Sequence, residues 1–196
     1  MKLIFVRHGE TSHNVKGHIH KRGDDALLTE KGKLQIMDCA NVLKQQNING
    51  LYTSPETRAR ESAELLAKDL AVEIQIANFE ERDWGDWEGK TWNEIKETLD
   101  KLPLDERHSF VPPNGESWQQ MEDRLKKALE EITRTNHPAA CIVTHSGVLR
   151  ALMRILKDAP LEEGIAYDFD NGSITIFEHK NGKYTELVVN DVKHLP

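Results

Sequence analysis

The chain starts with the stretch that points most directly to its fold, which reads KLIFVRHG over residues 2–9. Its consecutive apolar residues are typical of a short strand that is buried on both faces of a sheet. A second run of this kind, Ala140–Thr144, continues into His145, Ser146 and Gly147. Each predicted strand therefore leads into a histidine, and each histidine has a glycine close by that lets another backbone approach.

Helical and strand patterns alternate along the rest of the chain. Strands are predicted at Lys2–Val6, Gly50–Thr53, Val72–Ile76, Ala140–Thr144, Ser173–His179 and Tyr184–Val189, the last two joined by an Asn181-Gly182 turn. Helices are predicted from Thr29, from Ser54-Pro55 (a serine N-cap followed by proline at the first helical position), from Thr91, from Ser117 and over Val148–Leu156. This alternation predicts an α/β fold: a three-layer sandwich with a mostly parallel central sheet flanked by helices, as a single domain over residues 1–196.

The composition limits the classes of partner. The 196 residues include 38% hydrophobic and 30% charged side chains with no biased tract, which excludes a disordered or fibrous chain. A net charge of −7 argues against nucleic acid or an acidic membrane as a partner. No apolar stretch has the length of a signal peptide or a membrane span, and the two cysteines, Cys39 and Cys141, fall in apolar patterns. We therefore expect a cytoplasmic protein, and its net charge does not exclude an anionic small substrate.

The two histidines are expected to meet at one edge of the sheet. Ligands of open parallel sheets bind outside the carboxyl ends of the strands, and His8 and His145 both follow such ends. Ser54 ends a third strand at the same edge, and Arg58 lies one turn into the helix that follows. With Arg7 beside His8 and a helix N-terminus close by, these residues predict a pocket for a dianion.

Several motifs are similar to those of the histidine phosphatase superfamily, the phosphoglycerate mutase-like proteins, and they occur in the family's order. They are Arg7–Thr11 with Asn14, Leu28–Gly32, Ser54–Ala59, Glu81–Gly89, Pro113–Ser117 and Thr144–Gly147, and the tail Asp191–Leu195 resembles that of the family's broad-specificity phosphatases. The resemblance covers nearly the whole chain and implies the family's phosphoglycerate mutase-like fold.

The resemblance also implies a role for each matching residue. His8 is expected to be the nucleophile that takes the phosphoryl group on Nε2, for which its imidazole must be neutral. Glu81 is expected to protonate the leaving oxygen and then to activate water, whereas the residues alone would make it a solvated member of the acidic run Glu80–Glu88. Trp84 and Trp87 are expected to serve packing alone. The expected ligands of the phosphoryl oxygens are Arg7, Arg58 and His145, and Asn14 and Ser146 are counted among the substrate-binding residues.

One segment departs from the family's pattern. Where many relatives carry a Gln-Gly pair, this chain has His20-Lys21, followed by Arg22. That segment usually closes over the substrate, so these three residues are either substrate-binding determinants of specificity or members of a solvated loop. In the Pro113–Ser117 motif Asn114 replaces a glycine, and asparagine tolerates the left-handed conformation that such a turn needs.

Four functions remain open. The favoured one is a phosphatase that hydrolyses a small phosphomonoester through a phosphohistidine on His8, with no metal and no cofactor. A cofactor-dependent phosphoglycerate mutase would share the catalytic residues, although the short segment between Glu81 and His145 leaves little room for loops that retain the intermediate phosphate. His18 and His20 form a close pair without an acidic partner, which disfavours a metallohydrolase, and the full set of matching catalytic residues disfavours an inactive binding module. The sequence predicts neither the substrate nor whether the protein is a monomer or a homodimer.

Overall fold

Six strands form one sheet in the computed structural model, which describes residues 1–20 and 25–195. They are β1 (Lys2–Arg7), β2 (Gly50–Thr53), β3 (Ile74–Ile76, shorter than predicted), β4 (Ala139–Thr144), β5 (Ile174–Lys180) and β6 (Lys183–Asp191), and they lie in the order β3-β2-β4-β1-β5-β6. The first four are parallel, and β5 and β6 are added antiparallel at one edge. The predicted mostly parallel sheet is confirmed.

Eight α-helices accompany the sheet within the described residues. They are α1 (Ser12–Lys16), α2 (Glu30–Leu43), α3 (Thr57–Leu70), α4 (Trp92–Leu99), α5 (Leu104–Ser109), α6 (Trp118–Thr133), α7 (Ser146–Lys157) and α8 (Leu161–Ala166). Along β1, Phe5 packs in a buried cluster with α6 and α7, whereas Ile4 and Val6 pack in a second cluster with α2 and α3. Because both faces of the central strands are apolar, helices cover both, and the three-layer sandwich is confirmed. Cys39 and Cys141 lie buried in the second cluster.

Capping residues set several helix starts where the sequence predicts them. Thr91 and Ser117 each form a capping box, with Glu94 and Gln120 as the returning side chains, at the starts of α4 and α6. α7 begins slightly earlier than predicted, at Ser146. The sequence does not predict α1, α5 or α8, which are short and carry little apolar periodicity. In the part of the chain that the structure describes, no helix is both long and apolar enough to span a membrane.

The helix after β2 starts later than predicted, because its predicted N-cap residue is in contact with another strand. It begins at Thr57 rather than at Pro55, and its N-cap is Glu56, whose side chain makes no capping hydrogen bond. The hydroxyl of Ser54, the predicted cap, lies 2.7 Å from Nε2 of His145. The prediction of Ser54 as N-cap is therefore wrong, because this side chain is used by the site at the edge of the sheet.

Two glycines bring the loop after β1 against α2. A Cβ atom on Gly9 would lie 2.3 Å from the carbonyl oxygen of Gly32, and one on Gly32 would lie 2.2 Å from that of Glu10. Neither contact leaves room for a side chain, so both positions require glycine. The backbone N–H of Thr29 also donates to the carbonyl oxygen of Glu10 at 2.8 Å. The start of α2 therefore fixes the loop that carries His8.

The turn before α6 packs against the segment that begins with Glu81. Asn114 adopts a left-handed φ of 59°, the conformation predicted for it. A Cβ atom on Gly85 would lie 2.1 Å from the carbonyl oxygen of Pro113, so the two backbones are in direct contact. This contact holds the acidic segment against the start of α6.

Candidate active site

His8 directly follows β1 and is almost completely buried, with 2% of its surface exposed. Its Nδ1 atom lies 2.8 Å from the carbonyl oxygen of Gly9. Because a carbonyl oxygen only accepts, Nδ1 must carry the proton, and a neutral ring then keeps its lone pair on Nε2. The residue expected to be the nucleophile is thus oriented with Nε2 able to attack.

The surroundings of His8 keep its imidazole neutral. Burial lowers the pKa of His8 well below 6.5, and the charges of Arg58, His145 and Arg7 lower this pKa further. A neutral imidazole can attack phosphorus, whereas a protonated one has no lone pair to offer. The cations that suit a phosphoryl group are therefore the same ones that keep the nucleophile in its reactive form.

The predicted meeting of two histidines and two arginines at one sheet edge is confirmed. β1 and β4 are adjacent and parallel, and the rings of His8 and His145 are centred 5.2 Å apart. Arg7 donates from Nη1 to the carbonyl oxygen of Phe169. Arg58 is buried at the second position of α3. Strand order alone thus brings together side chains that are far apart in the sequence.

Two cavities meet at this edge. The smaller, of about 250 Å³, is lined by the predicted site residues Arg7, His8, Asn14, His20, Arg58, Glu81 and Ser146. The larger, of about 600 Å³, shares His20, Arg58 and Glu81 with it. Its lining is rich in carboxylates, namely Asp25, Glu56, Glu80, Glu81, Asp83, Glu88 and Glu116. Because carboxylates repel a dianion, a phosphoryl group suits the smaller cavity, beside His8.

Glu81 lies in the wall common to both cavities, and backbone groups hold its carboxylate. Oε1 accepts from the N–H of Arg82 at 2.9 Å, and Oε2 accepts from the N–H of Gly147 at 3.0 Å. A Cβ atom on Gly147 would lie 2.2 Å from Oε1, so only glycine leaves room for this carboxylate. The first turn of α7, which follows His145, thus fixes the acid near the nucleophile.

A bidentate ion pair between Arg124 and Glu116 holds the backbone of Glu81. Arg124 of α6 donates from Nε to Oε1 of Glu116 at 2.7 Å and from Nη2 to Oε2 at 2.9 Å. The same Nη2 also donates to the carbonyl oxygens of Glu80, at 2.9 Å, and of Glu81, at 3.2 Å. Charge-assisted bidentate bonds add geometric precision as well as energy. This pair, which we call the Arg124–Glu116 clamp, is a functional feature that the sequence analysis missed.

Asn14 lines the smaller cavity and has a defined amide orientation. Its Oδ1 accepts from the N–H of Thr11 at 3.0 Å and from Nδ2 of Asn171 at 3.2 Å, so the oxygen and nitrogen of this amide are assigned by their partners. Its predicted role in substrate binding stays a prediction. Asn171 also donates to the carbonyl oxygen of His8 at 3.0 Å. Sequence reasoning missed Asn171 because no pattern marks this loop residue before β5.

The segment that departs from the family's pattern is only partly described. His20 lines both cavities, and its Nε2 lies 2.8 Å from Oγ1 of Thr11. Burial, and then the charge of Arg58, lower the pKa of His20 to about 2, so its ring is neutral. Lys21 and Arg22 lie outside the described residues. The substrate-binding role of all three stays a prediction.

Aromatic side chains form part of the wall of the smaller cavity. Trp84 is buried and packs as predicted, with the guanidinium carbon of Arg82 4.2 Å from its ring centre. The same guanidinium lies 5.3 Å from the ring centre of Trp118. Trp84, Trp92 and Trp118 also line the cavity, and a packing residue at its rim can do so.

The potential metal ligands are scattered. Within residues 1–20 and 25–195, no group of three or more His, Cys, Asp and Glu side chains is arranged to hold a metal ion. Positive charge at the smaller cavity is supplied by four arginines, Arg7, Arg58, Arg82 and Arg150. Chelation tests whether turnover needs a metal.

Comparisons with known proteins agree with this geometry. The model of the family described as histidine phosphatase superfamily (branch 1) matches residues 3–192. A metal-independent phosphoserine phosphatase of Arabidopsis thaliana is 30% identical over 99% of this chain and 83% of that protein. A 2,3-bisphosphoglycerate-dependent phosphoglycerate mutase of Thermoplasma acidophilum is 28% identical over 95% of this chain and 92% of that protein. Among solved structures, Bacillus stearothermophilus YhfR matches with a TM-score of 0.88 and 31% identity, covering 100% of this chain and 99% of that one.

Proposed function

The chain belongs to the histidine phosphatase superfamily (branch 1), and on this premise we propose that it is a metal-independent phosphatase of small phosphomonoesters. The phosphoryl group passes through His8 as a phosphohistidine, and Glu81 acts first as acid and then as base. A relative that carries the name phosphoserine phosphatase supports a hydrolase and makes phosphoserine the first substrate to test.

The tautomer of His8 is the observation that carries this proposal. The Gly9 carbonyl oxygen fixes the proton on Nδ1, and burial among cations keeps the ring neutral. Nε2 is then a nucleophile inside a cavity whose lining includes Arg7, Arg58 and the carboxyl group of Glu81. This combination supports covalent transfer of a phosphoryl group, because each part of the reaction has a side chain in place.

The residues support a reaction in two steps. In the first, Nε2 of His8 attacks phosphorus, the bond from phosphorus to the leaving oxygen breaks, and Glu81 gives its proton to that oxygen. In the second, the Glu81 carboxylate takes a proton from water, the water oxygen attacks phosphorus, and the bond from phosphorus to Nε2 breaks. Inorganic phosphate leaves, and both side chains return to their starting forms. Arg7, Arg58 and His145 neutralise the charge on the phosphoryl oxygens in both steps.

A phosphoglycerate mutase is the second candidate. It is favoured by the relative of that name, of which 92% is covered by the match. That relative is close in length to this chain, so the short segment between Glu81 and His145 does not separate the two functions. Incubation with 3-phosphoglycerate and 2,3-bisphosphoglycerate distinguishes them: a mutase forms 2-phosphoglycerate, whereas a phosphatase releases inorganic phosphate.

Trapping the covalent intermediate tests the proposal. Rapid quenching without acid, with labelled phosphoserine or p-nitrophenyl phosphate, should yield a phosphoprotein that is labile in acid and stable in base. His8→Ala should lose the label and nearly all turnover, since no other side chain takes its place at the end of β1. Full activity in that variant would exclude the mechanism.

A further inference from the structure

One carboxylate lies where an anion site should have none. Glu56, between β2 and α3, has only 11% of its side chain exposed. Its Oε2 lies 3.1 Å from Nε2 of His145, and its Oε1 accepts from the backbone N–H of Glu81 at 2.9 Å. Oε1 also lies 3.9 Å from Nη2 of Arg58. A negative charge this close weakens the binding of a dianion, so its three partners in the site call for an explanation.

Glu56 is held in its ionised form. Burial alone would raise its pKa, but His145, Arg58 and a hydrogen bond from Ser54 together lower the pKa below the ordinary value of 4.5. An ionised carboxylate accepts hydrogen bonds and donates none. Glu56 is therefore not a second proton donor beside Glu81, and the proton in its contact with His145 must come from the histidine.

This contact decides the state of the His145 ring. Nε2 lies 2.7 Å from Oγ of Ser54 and 3.1 Å from Oε2 of Glu56. Because Ser54 donates its own proton to Glu56, the proton on Nε2 is directed toward these two oxygens. The two N–H directions of an imidazole diverge, so Nδ1 is directed away from both. Nδ1 is completely buried, and no described residue forms a hydrogen bond with it. In a neutral ring Nδ1 would offer a lone pair, which repels a phosphoryl oxygen. While Nε2 keeps its proton toward Ser54 and Glu56, only the doubly protonated ring also offers an N–H at Nδ1.

We propose that Glu56 is a positioning residue that holds His145 as an imidazolium, so that the Nδ1–H of His145 donates to a phosphoryl oxygen. The identity of that oxygen rests on the proposed function, whereas the state of the ring does not. In this proposal the carboxylate offsets its own repulsion of the substrate, because it stabilises the cation that donates to the phosphoryl oxygen. The Glu56–His145 pair therefore offers the anion one N–H donor, on Nδ1 of His145, in a fixed direction.

The charged and titratable groups around His145 are known, and most keep their state near neutral pH. They are Arg7 at the end of β1, His8 directly after it, Arg58 of α3, His20, Glu56 and Glu81. The lowered pKa values of His8 and His20 place their titration below the range from about pH 6 to 9. An experiment in the Glu81→Gln background removes that carboxyl group from consideration. A difference in anion affinity between variants in this range then reflects the contact between Glu56 and His145.

Sulfate binding is a direct test, because sulfate stays a dianion over the whole range and is not hydrolysed. Calorimetry in the Glu81→Gln background should give a dissociation constant about 10-fold to 100-fold larger for the added Glu56→Gln change, since a charge-assisted donor is lost. Glu56→Asp, which keeps the charge, is the matched control and should recover much of the affinity. Equal affinity with Glu56→Gln would overturn the proposal.

A second measurement does not depend on the stability of any variant. Nitrogen NMR of the ¹⁵N-histidine-labelled wild-type protein with sulfate should show both ring nitrogens of His145 protonated near neutral pH. The resonances are assigned by their loss in His145→Gln. A single protonated nitrogen would refute the proposal, even in an enzyme that forms phosphohistidine. Conversely, two protonated nitrogens in a protein that hydrolyses nothing would leave the proposal standing and refute the proposed function.

Discussion

The reacting ends of His8 and Glu81 are both oriented by backbone groups: the carbonyl oxygen of Gly9 for one, and the N–H groups of Arg82 and Gly147 for the other. Backbone partners inside a packed fold cannot rotate away as side chains can. The directions of both groups are therefore set before a substrate arrives, which is the condition under which positioned groups contribute most to catalysis.

Glu81→Gln should show whether this carboxyl group is the proton donor. An alkoxide leaves poorly without a proton, whereas nitrophenolate leaves readily, so the effect should depend on the leaving group. We expect the phosphorylation step to fall about 10²-fold to 10⁴-fold for an alkyl phosphate and much less for p-nitrophenyl phosphate. The burst that precedes phosphohistidine breakdown measures this step. An equal loss with both substrates would make Glu81 a binding residue, and Glu97→Gln, an exposed carboxyl change on α4, is the control.

Between elements, the Arg124–Glu116 clamp links α6 to the segment that carries the acid. Its bonds to two consecutive backbone carbonyl oxygens hold that segment by its backbone, so its effect on the reaction should pass through Glu81 alone. The glycine contact between Gly85 and Pro113 supports the same segment from its other end. The acid is thus positioned by a helix that contributes no reacting group.

Arg124→Gln should reproduce the leaving-group dependence of Glu81→Gln. We expect a loss of about 10²-fold for an alkyl phosphate, the usual cost of a small misplacement, and little loss for p-nitrophenyl phosphate. In the double variant the two losses should not add, because the clamp has no acid left to position. Arg134→Gln, at an exposed pair with Glu130 after the same helix, is the control. Additive losses would show that Arg124 acts on turnover by another route.

The molecule as a whole should lose stability in mild acid because two histidines are buried without charge. The pKa values of His8 and His20 are lowered by burial from 6.5, so below that pH the unfolded chain takes up protons that the folded chain does not. The free energy of unfolding should therefore fall below about pH 6.5, by about 1.4 kcal/mol per pH unit for each histidine. Above that pH neither histidine should add a slope. Urea unfolding at a series of pH values measures this, and an unchanged slope in His20→Gln would contradict the assignment.

Turnover by the whole enzyme should survive exhaustive chelation. Arg7 and Arg58 line the smaller cavity and supply the positive charge that a divalent cation supplies in metal-dependent phosphatases. We expect the rate of phosphate release to be nearly unchanged after dialysis against a strong chelator. A large loss that one divalent metal restores would favour a metallohydrolase.

Local patterns were sufficient for much of the fold. The apolar runs before His8 and His145 predicted two buried parallel strands, and the capping box at Thr91 and the serine at 117 predicted two helix starts. The convergence of both histidines with Arg58 followed from the rule that ligands bind at the carboxyl ends of parallel strands. These features depend on neighbours in the sequence, or on one general property of parallel sheets.

Tertiary structure decided the rest, because it depends on contacts between distant segments. Ser54 has the pattern of an N-cap, yet its hydroxyl bonds to His145, which comes from another strand. Gly147 has to be glycine because of Glu81, and Glu56 is in contact with His145 although its charge is opposite to that expected for an anion site. The sequence by itself determined which elements form and at which edge the site lies. Only packing determined how each ring and carboxylate is oriented and charged, because burial and hydrogen-bond partners set those states and no local pattern contains them.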